Sequence, residues 1–258
     1  MPSRAISGGL ICCAALLAAL PAQAAPSVLL GGSLDFGYDS NAGNAPQGAE
    51  EVDGATLDVG LNLSRNFEIT NYASLLLRGS IQKHAQERVV ALSSNKATGL
   101  MRVFLRPGRG LFTPTLSAWG SAAYWQFTSD MRDSDEYRYG LTLQQPLTTQ
   151  VSVRLSAMQT ERKADSGIFD NRQNSAAADF EWQAADALRF NIGFQFQEGD
   201  SVSTAAPTLK ILLAAEEVQP DDAFGGIAAD RYAYRIPAHT RIGSIGCNDA
   251  LSPAFSLD

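Results

Sequence analysis

Residues 31–44 read GGSLDFGYDSNAGN, and this short stretch contains both halves of a pattern that repeats along the chain. Residues 33–38 alternate between small or polar and apolar side chains, a period of two that is typical of a β-strand with one apolar face. Residues 39–44 are polar and turn-prone, which predicts a loop. The stretch therefore predicts a strand that ends at Tyr38 and opens into an exposed loop.

The same alternation recurs in many later segments. They are residues 55–64, 74–82, 101–106, 137–144, 151–156, 176–182 and 190–197. Residues 113–127 are also predicted to be extended, but aromatic side chains at both parities leave the two faces unassigned. Helical periodicity is confined to residues 208–217. The sequence thus predicts an all-β chain.

Short and long connections alternate between these strands. The short ones are residues 64–71, 106–113, 144–150, 183–188 and 248–254, and the long ones are residues 39–54, 85–95, 128–135, 163–173 and about 200–230. Each strand pair is then a hairpin, with its turn at one end of the sheet and the loops at the other. This layout predicts an antiparallel transmembrane β-barrel of about 10–12 strands, with short periplasmic turns and long extracellular loops.

A secreted β-sandwich would also alternate, because one face of each strand is buried and the other is solvated. Two further features favour the barrel. The predicted strands of about 10–12 residues suit a tilted membrane crossing better than a globular sheet, whose strands average about 5–6. Aromatic residues also lie near predicted strand ends, where membrane proteins carry girdles. These residues are Tyr38, Tyr72, Trp125, Phe127, Tyr137 and Trp182.

The amino terminus predicts export. Residues 1–24 combine an early charge at Arg4, an apolar run and a small-residue end at Ala24, as a cleaved signal peptide does. The predicted mature barrel, residues 25–258, is expected in the bacterial outer membrane, with membrane lipid and the barrel-assembly machinery as partners. Cys247 is the one cysteine outside the signal, so no disulfide framework is predicted.

The charge balance excludes one class of partner. The formal net charge is −7 for the full chain, and it becomes −8 without the signal because Arg4 is the only charged residue removed. Nucleic acid selects basic surfaces, so no nucleic-acid binding is expected.

No cofactor or metal is predicted. Asp39, Asn41 and Glu50 match part of a calcium-loop pattern, but Gly43 and Asn44 stand in the wrong order for it. The two histidines, His84 and His239, have no neighbouring cysteine or histidine at metal-ligand spacing.

The carboxy terminus raises the question of barrel completeness. Ten full strands are predicted, the tenth within about residues 231–247, and residues 254–258 begin an eleventh. Single-chain bacterial barrels have even strand numbers. We therefore expect either a barrel of about twelve strands of which this chain is a part, or closure between the first and tenth strands.

Two segments carry a family resemblance: GYDSN at residues 37–41 and AYRIPAHTRIGSIGCNDALSP at residues 233–253. Together with the short turns, they resemble the carboxy-terminal barrel of the surface lipoprotein assembly modifier family and related uncharacterised outer-membrane barrels. The resemblance implies a barrel, and it implies a surface lipoprotein as a partner. The family's periplasmic tetratricopeptide repeats have no counterpart in these residues.

The polar parity of the strands predicts what lines the barrel interior. The expected lumen residues are Arg78, Arg102, Arg106, Arg138, Arg154, Asp35, Asp58, Asp179 and Glu181. Basic and acidic walls would face each other and orient polar solutes, which predicts a passive pore or translocation channel for small polar or charged solutes or a secreted partner, and not an enzyme. The same charges could equally pair with one another and fill a plugged lumen. Two alternatives stay open: an outer-membrane lipid or peptide hydrolase that uses His84 or His239, and a structural or surface-interaction barrel. The oligomeric state is not predicted.

Overall fold

The structure, a computed structural model, describes residues 28–42, 52–185, 188–206, 213, 215–224 and 231–249. These residues form eleven strands. The strands are β1 (Val28–Asp39), β2 (Gly54–Thr70), β3 (Ala73–Gln86), β4 (Ser94–Leu105), β5 (Thr115–Phe127), β6 (Ser134–Pro146), β7 (Val151–Ala164), β8 (Asn171–Gln183), β9 (Leu188–Ala205), β10 (Glu217–Pro220) and β11 (Tyr232–Asp249). Four single-turn 3-10 helices, Val90–Leu92, Asp130–Arg132, Gly167–Phe169 and Asp222–Phe224, lie between them.

All eleven strands belong to one sheet in the order β1-β2-β3-β4-β5-β6-β7-β8-β9-β11-β10. Neighbouring strands in this order pair antiparallel. The predicted all-β antiparallel architecture is confirmed. Within the described residues, no ladder joins β1 to β11, so the sheet has two edges. No helix in these ranges has the length and apolar character needed to cross a membrane. The predicted signal peptide lies outside the described residues.

Cross-strand register fixes the two faces of the sheet. Asp58 stands opposite His84, which stands opposite Ser94, so these polar positions share one face, here called the inner face. The other parity forms the outer face, and its large apolar side chains are exposed on strand after strand. Examples are Phe36, Val59, Leu61, Ile81, Met101, Leu141, Leu155, Phe180, Ile192 and Phe194, whose exposed fractions run from 40% to 78%.

The faces of β5, which the sequence left open, are set by its pairing with β4 and β6. Trp125 stands opposite Lys96 on one side and Ser134 on the other, all on the inner face. Trp125 and Phe127 lie near the end of β5, as expected, but both point inward and so do not belong to a lipid-facing girdle. The physical reason is that both rings pack against cationic side chains of the interior.

The packed apolar core lies at one end of the strands, here called the loop end. The connections β1–β2, β3–β4, β5–β6, β7–β8 and β9–β11 all lie at this end. Val52, Val89, Leu92 and Ala223 form one cluster there, and Ile168, Phe169 and Ala233 form another. The clusters join residues far apart in strand order, which requires the sheet to curl.

The connections differ from the prediction in their lengths. At the opposite end of the strands, here called the turn end, β2 continues to Thr70 and leaves only Asn71 and Tyr72 before β3. At the loop end, the connections at 87–93, 128–133 and 165–170 are compact, and each contains a 3-10 helix. The two long loop-end connections are the first and the last.

The last predicted loop contains structure of its own. β9 continues to Ala205, and the short strand β10 pairs with β11 between Tyr232 and Arg235. Glu217, placed at the end of a helical pattern by the sequence, begins β10 instead. The predicted tenth strand is found as β11, and it reaches Asp249 within the predicted turn at 248–254. The predicted eleventh strand lies outside the described residues.

Candidate functional site

The inner face encloses a cavity of about 530 Å³ near the loop end. Asp58 of β2 and Gln173 of β8 both line it. Six strand spacings separate β2 from β8, which is about 29 Å in a flat sheet. A single cavity lined by both strands therefore requires the sheet to curl around it.

A cluster of charges occupies the β4–β7 side of this cavity. Glu136 is only 6% exposed, and burial of a carboxylate is costly unless it is paired. Its two oxygens lie 3.5 Å from Lys96 Nζ and 3.0 Å from Arg138 Nη2. Arg162 stands directly opposite Glu136 in the β6–β7 register. Three cations thus surround one carboxylate, and this side of the cavity keeps an excess of positive charge.

Two aromatic rings hold Lys96 and Arg162 in place. Trp125 and Phe127 stack with their centroids 5.8 Å apart. Lys96 Nζ lies 4.1 Å from the centre of the Trp125 ring, and the Arg162 guanidinium lies 5.3 Å from that of Phe127. Cation–π contacts of this kind contribute about 0.5–2 kcal/mol each. They position the charged groups without neutralising them.

Arg162 is oriented by neutral partners. Its Nε donates to Ser134 Oγ at 2.8 Å and its Nη2 donates to the carbonyl oxygen of Arg132 at 3.3 Å. Within the described ranges, no carboxylate forms an ion pair with Arg162. The guanidinium is therefore fixed in direction while its charge is not paired directly.

The β1–β3 side of the cavity carries the acidic groups. Asp58 Oδ1 lies 2.8 Å from His84 Nδ1, and Asp35 stands opposite Asp58 in the β1–β2 register. Ser94 stands on the other side of His84 and also lines the cavity. A carboxylate at Nδ1 favours the tautomer in which the free Nε2 accepts a proton, so this pair could act as a general base.

Residues 215–224, here called the cap, cross the loop end. Asp221 accepts hydrogen bonds from Arg132 Nη2 at 2.5 Å and from Thr204 Oγ1 at 2.6 Å. Ser129 Oγ donates to Asp222 at 2.6 Å, and Ala223 joins the apolar cluster of the first two loop-end connections. Burial lowers the pKa of Arg132 from its ordinary value, and the Asp221 carboxylate opposes that shift.

Eight of the nine predicted lumen residues fall into three groups, two of which share Arg154. Arg78, Arg102 and Arg154 lie close enough together for mutual repulsion, and Arg102 packs on Trp119 with 5.6 Å between the guanidinium carbon and the ring centre. Asp58 and Arg138 belong to the cavity clusters described above, and Asp35 stands beside them in register.

The third group lies toward the turn end. Arg154, Asp179 and Glu181 line a second cavity of about 240 Å³, where Arg154 stands opposite Asp179 and Glu181 lies 3.5 Å from Arg189. Acids therefore often sit beside bases on neighbouring strands, so the predicted separation into two opposed walls is incomplete. Arg106 lies after the end of β4 and donates to the Gly110 carbonyl, so it belongs to a turn.

Sequence reasoning missed four residues of this site: Lys96, Trp125 and Arg162, which line the cavity, and Glu136, which pairs with its cations. Arg162 has the same parity as the predicted lumen residue Arg154, and Glu136 the same parity as Arg138. The alternation, extended a few residues toward the loop end, would have found them. Trp125 gave no such signal, because both parities of β5 carry aromatic residues.

The remaining chemical groups are few. His239 is exposed, and its Nδ1 lies 4.0 Å from Glu198, away from the cavity. The described part of the chain holds no group of three or more side chains suited to a metal ion. Comparison with protein-family models and with curated protein sequences finds no match to this chain.

Proposed function

We propose that this chain is an outer-membrane β-barrel that acts as a passive pore or translocation channel for small polar or charged solutes. One observation carries the proposal: large apolar side chains are exposed on the outer face of the sheet, while charged side chains gather inside its curl. In water such an arrangement is unfavourable, because full burial of such a side chain is worth about 1.5–3 kcal/mol and these side chains leave 40–78% of their surface exposed. Lipid removes this penalty.

The dimensions of the sheet support the same proposal. Its long strands have 12–18 residues each, against about 5–6 in globular proteins. A tilted strand of about 9–11 residues crosses the hydrocarbon layer. The excess length projects into the headgroup regions and the loop end.

Closure of the barrel would involve β1 and β11. Without the short β10 there are ten long strands, an even number. β1 runs toward the loop end and β11 runs away from it, so the two can pair antiparallel along residues 236–249, which β10 does not cover. Open edges in lipid cost several kcal/mol per unpaired group. Hydrogen exchange tests this step: closure predicts slow exchange of alternate β1 amides on the edge facing away from β2, and fast exchange there would reject it.

The proposed partners are outer-membrane lipid and the barrel-assembly machinery that inserts such proteins. A surface lipoprotein as partner rests on the resemblance alone and stays a prediction. Localisation is tested by fractionation of cells that produce the full chain. Recovery in the soluble periplasmic fraction would contradict the proposal.

The transport function is tested by conductance in planar bilayers. Because the cap lies across the loop end, we expect the native protein to pass only a small current. We expect Asp221→Ala, which removes the acceptor of Arg132 and Thr204, to raise that current. A refolded, membrane-inserted protein without conductance in either form would exclude the pore.

A second candidate function rests on the Asp58–His84 pair. It is a lipid or peptide hydrolase in which His84 would take a proton from a nucleophile, with Ser94 as the hydroxyl directly opposite in register. Lipid and peptide hydrolysis would be assayed on the sample used for conductance, with His239→Ala as the control for His84→Ala. Turnover that is lost in His84→Ala alone would favour the hydrolase, and no turnover in the native protein would exclude it.

A further inference from the structure

The β4–β7 side of the loop-end cavity has the properties of an anion site. It brings together Lys96, Arg138 and Arg162 with a single carboxylate, Glu136. Two of the cations are paired to that carboxylate, and the third is not. A positive excess in a confined, partly dehydrated cavity attracts anions more strongly than the same charges would in open water.

Unpaired donors supply a second observation. Nε1 of Trp125 and the Nε atoms of Arg132 and Arg138 are buried without a hydrogen-bond partner among the described residues. All three are N–H groups, and buried N–H groups nearly always have an acceptor. Trp125 and Arg132 line the cavity itself. One acceptor is also unpartnered beside this side of the cavity, Oδ1 of Asn171, which stands opposite Arg162. Three unpartnered donors against this one acceptor leave an excess of donors here.

We propose that this side of the cavity binds the oxyanion group, carboxylate or phosphate, of a small solute, with Arg162 as its principal ligand. The planar guanidinium forms paired hydrogen bonds with such groups. Arg162 is already held in direction by Ser134 and the Arg132 carbonyl, so little rotational freedom is lost on binding. Lys96 keeps free donors on its ammonium group, because Glu136 accepts only one of them.

The site would select solutes at the entrance of the proposed pore, and in that role the inference rests on the proposed function. Farther along the inner face, Arg78, Arg102 and Arg154 continue the basic groups toward the turn end. A solute released from Arg162 would therefore meet further cations. The acidic groups at Asp35 and Asp58 lie on the other side of the cavity and would repel it.

Calorimetric titration of the refolded full chain in detergent tests the site, with inorganic phosphate and malonate as separate probes. We expect at least one to bind, and Arg162→Gln to weaken that binding about tenfold or more, as loss of charged hydrogen bonds does. The probe that binds more tightly identifies the oxyanion. Arg162→Lys, which keeps the charge but loses the fork, should bind with intermediate affinity.

Lys163→Gln is the matched control, because Lys163 is the next residue of β7 and its side chain is 67% exposed on the outer face. We expect it to bind like the native protein. Equal affinity of native and Arg162→Gln, both with native circular dichroism, would overturn the inference, as would absence of binding at millimolar probe. If the barrel binds the anion but does not conduct, the pore fails and the site stands.

Discussion

Leu141→Arg distinguishes a lipid-facing outer surface from a water-facing one. Leu141 is 55% exposed on the outer face of β6, seven residues after Ser134. At about 3.4 Å per residue and a tilt of about 45°, it lies about 17 Å along a crossing of about 29 Å, close to the membrane centre. Arginine there costs about 2–4 kcal/mol. In water, substitution of a side chain this exposed changes stability by about 0.5 kcal/mol or less.

Leu143→Arg provides the control for depth. It introduces the same change on the same face, two residues farther along β6 and only about 7 Å from the turn end, where the cost falls to about 1 kcal/mol. The free energy of unfolding would be measured by urea titration in phospholipid vesicles, with tryptophan fluorescence as the signal. If both variants stay within about 0.5 kcal/mol of the native protein, the outer face does not contact lipid and the reasoning fails.

Three further predictions concern the cap, a strained glycine and a titrating carboxyl. Asp221→Ala leaves Arg132, whose side chain is only 15% exposed, without its paired carboxylate, so the cap should lose about 3–5 kcal/mol and become open to protease. Asp222→Ala removes the Ser129 hydrogen bond and a weaker attraction for Arg132 but leaves the Arg132–Asp221 pair, so the cap should resist cleavage. Gly199→Ala should lower the urea midpoint of unfolding, because φ of Gly199 is +142° and an added Cβ would lie 2.1 Å from the Arg172 carbonyl oxygen. Gly243→Ala is the control and should leave the midpoint unchanged, because a Cβ added there meets no atom within 4 Å. Burial raises the pKa of Asp133 above 3.8, its ordinary value. The stability that protonated Asp133 contributes should therefore decline as the pH rises from about 3.8 through the folded pKa. Asp133→Asn should remove this pH dependence in urea titrations across the same pH range.

The strands could be predicted because their signal is local. A strand with one apolar face repeats every two residues, and residues 55–64 or 176–182 show that repeat without reference to any partner. Strand ends were less certain. The backbone ladder continued through residues 64–70, where Arg65 interrupts the apolar parity before Phe67 and Ile69 resume it, because the neighbouring strand still supplies partners there.

The candidate site could be predicted only in part, because its contacts connect distant positions. Arg138 was expected inside from its parity, but its acid partner Glu136 and the neighbouring Lys96 were not. The inward direction of Trp125 depends on Lys96 and Arg162, which precede and follow it by about 30 and about 40 residues. The cap is held by the contact between Arg132 and Asp221, which are 89 positions apart in the sequence. No local sequence pattern predicts such a pair.

Brominated-lipid quenching of single-tryptophan variants tests most directly whether the outer face of this sheet meets lipid. Trp182 is 44% exposed on the outer face, whereas Trp125 lies on the inner face against Lys96. The barrel predicts that bromine atoms on the acyl chains strongly quench a protein that retains only Trp182, and leave one that retains only Trp125 nearly unchanged. Equal quenching of the two, or none of Trp182 in a protein bound to the vesicles, would contradict a membrane-spanning barrel.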